Sequence, residues 1–259
     1  MDSKKRNMFL KEYHTAEMLA YFDKLSEADE GYGSGAREAM EKAGFGGLNM
    51  PVWQGRILET LVRALNVKKA VEIGALGGYA AHWIARAMAE GARLYSLEAD
   101  PALVTIAKEA LEISGLSKKV TVLEGEPLEN LKTLSKLAPF DFCYISLCAN
   151  HPACLRWAAA NLRPGGLVAA DGVFFKGRLR PEGGETTSSL GGSPLSRGQR
   201  QGPASALGGQ SHSRWEGVER SENAGARAMR EFFHVLFDAD RFVSASILPT
   251  DEGLALGVK

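Results

Sequence analysis

The chain has 259 residues, enough for one large α/β domain or a domain with an appendage. Lysine plus arginine number 31 and so do aspartate plus glutamate, so no global field of either sign points to nucleic acid or an anionic membrane as partner. No apolar run is long enough to span a bilayer, and the basic start Met1-Asp2-Ser3-Lys4-Lys5-Arg6 lacks the apolar segment of a secretory signal.

Apolar residues at helical spacing (Met8, Leu10, Tyr13, Met18, Leu19, Phe22, Leu25) predict an amphipathic helix over 8–25. Helices over 36–43 and 54–65 follow, the latter with Ile57, Leu58, Leu61, Val62 and Leu65 on one stripe. Strand and helix patterns then alternate, which predicts a mostly parallel sheet. The strands fall at 70–73, 93–97, 120–123, 140–145 and 166–171, and the helices between them at 79–88, 101–113, 128–137 and 152–162. Arg163-Pro164-Gly165-Gly166 reads as a helix stop before the fifth strand. A helix over 224–237 and strands over 242–248 and 253–258, joined by the turn Asp251-Glu252-Gly253, close the chain. From about 181 to 223, glycine and serine make up roughly two-fifths of the residues. That segment has few apolar anchors, so it is expected to be a disordered insertion. A lid, or a nucleic-acid-contacting arm using Arg197, Arg200, Arg214 and Trp215, is the functional alternative. Cys143, Cys148 and Cys154 are odd in number and closely spaced, which fits thiols in a reducing compartment and an expected cytoplasmic location.

The informative stretch is Ala70-Val71-Glu72-Ile73-Gly74-Ala75-Leu76-Gly77-Gly78-Tyr79-Ala80. A short strand enters a glycine turn and a helix follows at once. Such a turn lets backbone approach a ligand closely, and the helix start offers N–H groups to anionic atoms. The spacing is not the dinucleotide pattern G-x-G-x-x-G, because Leu76 stands two after Gly74. Glu72 would repel a pyrophosphate and suits a ligand with amine and hydroxyl donors. Glu98, about 24 residues after Gly74, ends the second strand where an acid accepts a ribose diol, and Asp100 reads as the cap of the next helix.

This combination resembles S-adenosylmethionine (SAM) dependent O-methyltransferases of the catechol and caffeoyl-CoA type, whose loop reads L-E-I-G-T-x-T-G-Y-S. Glu72-Ile73-Gly74 and Gly78-Tyr79 match, while Ala75, Gly77 and Ala80 replace small hydroxyl residues. Leu48-Asn49-Met50-Pro51-Val52-Trp53-Gln54-Gly55 aligns with the family's M-Q-x-S-x-x-Q-G, and Arg163 to Asp171 with R-P-G-G-L-I-x-x-D-N. The resemblance implies a Rossmann-like class I methyltransferase fold, with a seven-stranded mostly parallel sheet in the order 3-2-1-4-5-7-6 and N-terminal helices. Residues 1–47 would form the helical region and 48–259 the SAM-binding domain. By resemblance the cofactor lies against Leu48, Met50, Glu72, Gly74, Gly78, Tyr79, Ala80, Glu98, Gly125, Glu126, Pro127 and Ser146. Pro127 departs from the family's G-D-A and has no N–H to offer adenine. The resemblance also implies a homodimer and a small-molecule acceptor.

The family binds a divalent cation through I-D-A-D-K and D-N. Here the residues are Ile145-Ser146-Leu147-Cys148-Ala149-Asn150 and Asp171-Gly172, so Asp171 alone remains of three ligands and Ala149 stands for the lysine. No metal is expected at that site. Cys148-x-x-His151-x-x-Cys154 does not have a standard zinc spacing. Asp171 and His151 are the candidate bases for a metal-independent transfer. The alternatives are a catalytically weak SAM-binding partner protein and a nicotinamide dehydrogenase, which Leu76 and Glu72 disfavour.

Overall fold

Short β-branched and apolar segments alternate with amphipathic ones, and each strand buries both faces only if helices cover the sheet on both sides. The computed structural model describes residues 16–27, 34–44, 50–146, 151–174, 222–250 and 252–259. Its helices are α1 (Ala16–Glu27), α2 (Ser34–Lys42), α3 (Val52–Ala64), α4 (Tyr79–Ala87), α5 (Pro101–Ile113), α6 (Pro127–Leu134), α7 (His151–Asn161) and α8 (Glu222–Leu236). Its strands are β1 (Lys69–Ile73), β2 (Arg93–Glu98), β3 (Val120–Glu124), β4 (Phe140–Ile145), β5 (Leu162–Asp171), β6 (Ser244–Leu248) and β7 (Leu254–Val258).

The strands form one seven-stranded sheet in the order β3-β2-β1-β4-β5-β7-β6, as expected. β1 to β5 run parallel, and β7 lies antiparallel between β5 and β6. Side chains alternate across the sheet, so each strand feeds two cores. Ala70, Leu94, Phe142, Tyr144 and Ala169 face α3, α4 and α5, together with Leu58, Val62, Ile84 and Leu111. Val71, Leu97, Cys143, Ile145 and Val168 face α6, α7 and α8, together with Leu131, Leu155, Met229 and Phe232.

Element bounds depart from the sequence reading where turns meet strands. β5 begins at Leu162, the last residue of the predicted helix, and runs through the predicted helix stop. Leu162 already pairs with Phe140, and the register then shifts before Leu167 pairs with Phe142, so the Pro-Gly segment is a bulge inside the strand. The helix predicted over 128–137 ends at Leu134, and a 3₁₀ turn, Ser135–Leu137, completes it. Glu222 and Asn223 already lie in α8, while residues 181–221 of the predicted insertion, residues 8–15 of the first predicted helix, Leu48 and Cys148 fall outside the described residues.

Two charged clusters fasten this frame. Glu59 of α3, with its side chain largely buried, receives Arg56 (2.8 Å), Arg63 (3.1 Å) and, from α4, Arg86 (3.4 Å). Asp141, at the foot of β4, accepts the Lys68 and Lys69 N–H groups (both 2.9 Å) and Arg163 Nε (2.7 Å) from the β5 bulge. These donors hold its carboxyl below the usual aspartate range, against the opposing effect of partial burial. Asp141→Ala removes these acceptors and should lower stability by about 1–3 kcal/mol in urea unfolding. A lowered folded pKa means the contribution is present above the unfolded value and lost as pH falls through the folded one. The gap between Asp141→Ala and the unmodified protein should therefore close in acid.

Candidate functional site

The strand order reverses between β1 and β4, so the carboxyl ends of these strands border the ligand crevice of an open α/β sheet. Four strand ends are laced together there. Gly74 and Ala75 N–H groups both donate to Leu97 O (2.9 and 3.0 Å), Ser146 N–H donates to Ile73 O (2.8 Å), and Gly125 N–H donates to Glu98 O (2.9 Å). Gly74 has φ +92°, and a Cβ on it would sit 2.3 Å from Ser146 O. Only glycine lets β1 and β4 close this tightly. Gly77, in place of the family's hydroxyl residue, leaves room for the buried Met40 of α2, whose Sδ would lie 2.3 Å from a Cβ there.

Glu98 fixes the loop. Its Oε2 accepts Leu76 N–H (2.9 Å) and its Oε1 accepts Ala99 N–H (2.8 Å) and Asp100 N–H (3.0 Å). Leu76 is held at φ +46°, where a leucine does not sit without such a partner. A carboxylate has about four acceptor sites, and among the described residues three backbone donors reach Glu98. Asp100 caps α5 through Ala102 N–H (2.8 Å), as expected. At the end of β3, Gly125 adopts φ +116° and a Cβ there would approach nothing closer than Asn130 Nδ2 at 3.8 Å. Glu126 is the N-cap residue of α6, and Pro127 opens the helix at a position where a missing N–H leaves nothing unsatisfied.

Glu72 is turned inward beneath the loop and is fully buried. Its register neighbours across the sheet are Ser96 on β2 and Tyr144 on β4. Ser96 Oγ donates to Glu72 Oε2, and Ala81 N–H, in the first turn of α4, also reaches the carboxyl. The N-cap residue of α4 is Gly78, which has no side chain to cap the helix. Glu72 Oε1 has no hydrogen-bond partner, and burial, opposed by the Ser96 bond and assisted by Glu98, pushes the carboxyl up to about 8. The acid therefore holds its proton at neutral pH. Tyr79 and Ala80 are also buried, and Met50 is half-buried against the same helices.

Asp171 ends β5 on this same face. Its Oδ1 accepts Gly172 N–H (2.8 Å), and Tyr144 hydroxyl lies 3.4 Å from Oδ2. Burial raises the Asp171 carboxyl above the usual range, opposed by the Gln54 side chain of α3 and by Gly172 N–H. The neighbouring Tyr144 hydroxyl is raised as well, by burial and by Asp171 and Glu72, and is bonded to Ser146. His151 stands on the other face. Its Nδ1 lies 3.4 Å from Met229 Sδ, its ring packs on Phe232 at 5.8 Å, and burial lowers the imidazole to about 4. The structure thus does not bring His151 and Asp171 together. It adds Ser96, Tyr144 and Gln54 to the site. Each is a polar residue at an inward-facing position of a strand or helix, and that mismatch with the apolar pattern is the signal that could have found them.

A family model of O-methyltransferases matches residues 26–189. The chain is 29% identical over 176 residues to a catechol O-methyltransferase of Niastella koreensis, covering 66% of this chain and 76% of that one. It is 29% identical over 164 residues to a catechol O-methyltransferase of Mycobacterium tuberculosis, covering 63% and 74%. The fold resembles that of an O-methyltransferase from Bacillus cereus solved with S-adenosylhomocysteine (SAH), with TM-score 0.68, 24% identity and coverage of 93% and 97%. It also resembles TomG from Streptomyces achromogenes solved with SAM, with TM-score 0.69, 23% identity and coverage of 93% and 95%.

Glu72 gives a test of this geometry. Its folded pKa lies above the unfolded one, so its contribution is fully present below the unfolded value of 4.5 and is lost as pH rises toward about 8. Glu72→Gln should remove that slope from the stability–pH curve, and by pH 8 should close or reverse any deficit against the unmodified protein in thermal melts.

Proposed function

This chain belongs to the O-methyltransferase family, and on that footing we propose that it methylates a small-molecule hydroxyl at the carboxyl ends of β1, β4 and β5 without a divalent cation. The observation that carries the reading is the glycine loop fixed at the switch point by Glu98. SAM supplies an electrophilic methyl group on its sulfonium. The residues present suit that molecule. Glu98 keeps an acceptor site for a ribose hydroxyl, the start of α4 at Tyr79 and Ala80, with glycine as its N-cap residue, suits a carboxylate, and the open turn at Gly125 and Glu126 leaves room for a flat base. Leu48, Met50, Gly74, Gly78, Pro127 and Ser146 complete the cofactor-binding set in this reading, with Glu72 supporting the loop from beneath.

The acceptor side depends on Asp171. A carboxyl raised above the ordinary aspartate value is a stronger base than an exposed one, and Oδ2 is its less engaged oxygen. Asp171 takes the hydroxyl proton of the acceptor on Oδ2. His151 has no part in this step, since it packs against α8 across the sheet. A hard cation wants several anionic or carbonyl oxygens, whereas Ser146 is neutral, Gly172 has no side chain and Asp171 is already bonded to Gly172 N–H. Among the described residues, no group of three or more His, Cys, Asp and Glu side chains is placed to hold a metal.

The proposed assembly is a homodimer. α1 exposes Met18, Tyr21, Phe22 and Leu25, with Tyr21 and Leu25 both 56% exposed, an apolar stripe that a second copy would cover. Among the described residues, no helix is long and apolar enough to cross a membrane.

Calorimetry with SAH should give the same affinity with and without a chelator, and Glu98→Ala should weaken it by about 1–3 kcal/mol, the scale of lost bonds to a charged group. Binding that needs magnesium, or that ignores Glu98→Ala, speaks against this site. Light scattering should give twice the chain mass for the unmodified protein. The double substitution Phe22→Glu with Leu25→Glu should give the monomer mass.

A further inference from the structure

We propose that Gln54 is an acceptor-binding residue of this enzyme: its Nε2 donates a hydrogen bond to the acceptor oxygen whose proton passes to Asp171. The inference rests on the methyl-transfer reading above and adds to it a residue for which the fold alone gives no reason.

Gln54 is 2% exposed in the first turn of α3. It shares its helix stripe with Leu58 and Val62, one and two turns further on, both fully buried in the core against the sheet. An apolar side chain would satisfy that position. Among the described residues, Nε2 of the glutamine instead lies buried with no hydrogen-bond partner of normal geometry, which costs stability. Nor does Gly55 next to it account for the choice. Gly55 serves to seat Trp83 of α4, whose indole would lie 2.4 Å from a Cβ there.

The Gln54 side chain reaches the Asp171 carboxyl as a hydrogen-bonding neighbour and lowers its pKa, though without a bond of normal geometry. On that carboxyl, Oδ1 is taken by Gly172 N–H, while Oδ2 lies 3.4 Å from the Tyr144 hydroxyl, longer than an ordinary O–H···O bond. An under-used acceptor and a loosely engaged donor therefore stand side by side. Their common complement is a hydroxyl, which donates once and accepts through its lone pairs. Among the described residues, a Cβ built on Gly172, next to Asp171, would meet nothing within 4 Å. As the hydroxyl loses its proton to Oδ2, charge develops on the oxygen that Nε2 already touches. A neutral amide then supplies a fixed dipole where relatives with a cation would supply charge.

The test is steady-state kinetics on the full chain, with catechol as probe acceptor, phenol as a singly hydroxylated control, and labelled SAM. Gln54→Met, of similar volume, should raise KM for the probe about tenfold and lower kcat less, while SAH affinity by calorimetry stays within about twofold. It should also move the acidic limb of the kcat/KM profile to higher pH, because the amide no longer lowers the Asp171 carboxyl. Gln54→Glu, a second carboxylate facing Asp171, should move the limb further in the same direction, and carries the test if Gln54→Met fails to fold. A folded Gln54→Met with KM and acidic limb unchanged overturns the inference and leaves the methyl-transfer reading standing. Normal SAH binding by the unmodified chain with no transfer to either probe overturns that reading, and the inference falls with it.

Discussion

The hydrogen bond from Leu76 N–H to the Glu98 carboxylate is the constraint on which the site depends. It ties the end of β2 to the tip of the loop that leaves β1, and it holds a leucine in the left-handed region. With Gly74 and Ala75 both donating to Leu97 O, the loop is anchored to β2 through backbone and side chain alike. The same carboxylate accepts the N–H groups of Ala99 and Asp100, so the turn into α5 and the turn into α4 share one anion. A charged acceptor with several backbone donors is among the stronger local restraints available to a fold.

Behind that loop runs a polar row that the apolar core has to accommodate. Ser96, Glu72 and Tyr144 are neighbours across three adjacent strands, and Asp171 lies near the Tyr144 hydroxyl at the end of the row. Glu72 escapes the full cost of a buried charge by keeping its proton, and as an acid it can act as donor as well as acceptor. Glu59 follows the opposite course. It remains at the margin of the core and collects three arginines, two from its own helix and one from α4. The two acids show how position decides between neutralising a carboxyl and pairing it.

Much of this was readable from the residues. The sheet order, the alternation from β1 onward, the cap at Asp100 and the departure at Ser146 and Gly172 all follow from local pattern or motif. What was not readable depends on contacts distant in sequence. Arg163-Pro164-Gly165-Gly166 carries the signals of a helix stop, yet Leu162 already pairs with Phe140 because Asp141 draws Arg163 against the foot of β4. Glu72 reads as a ligand contact, and only the docked helix shows that its side chain also lies under α4, where Ala81 N–H meets it. His151 and Asp171 are both near strand ends, and only the sheet's two-sidedness separates them. Gln54 belongs to a recognised two-residue match, but a buried amide set against the Asp171 carboxyl cannot be inferred before the helix is docked.

That two-sidedness has a consequence for how the protein tolerates change. The sheet is a partition: α6, α7 and α8 fill one compartment, and α3, α4 and α5 with the polar row fill the other. Substitutions in the Met229 and Phe232 compartment alter packing against Val168 and Ile145, whose neighbours in sequence face the opposite way. Effects on stability from the two compartments should add rather than couple, since few side chains are shared between them. The α8 side can thus drift in sequence while the electrostatic setting of Asp171 is conserved, which gives the fold an evolvable half and a guarded one.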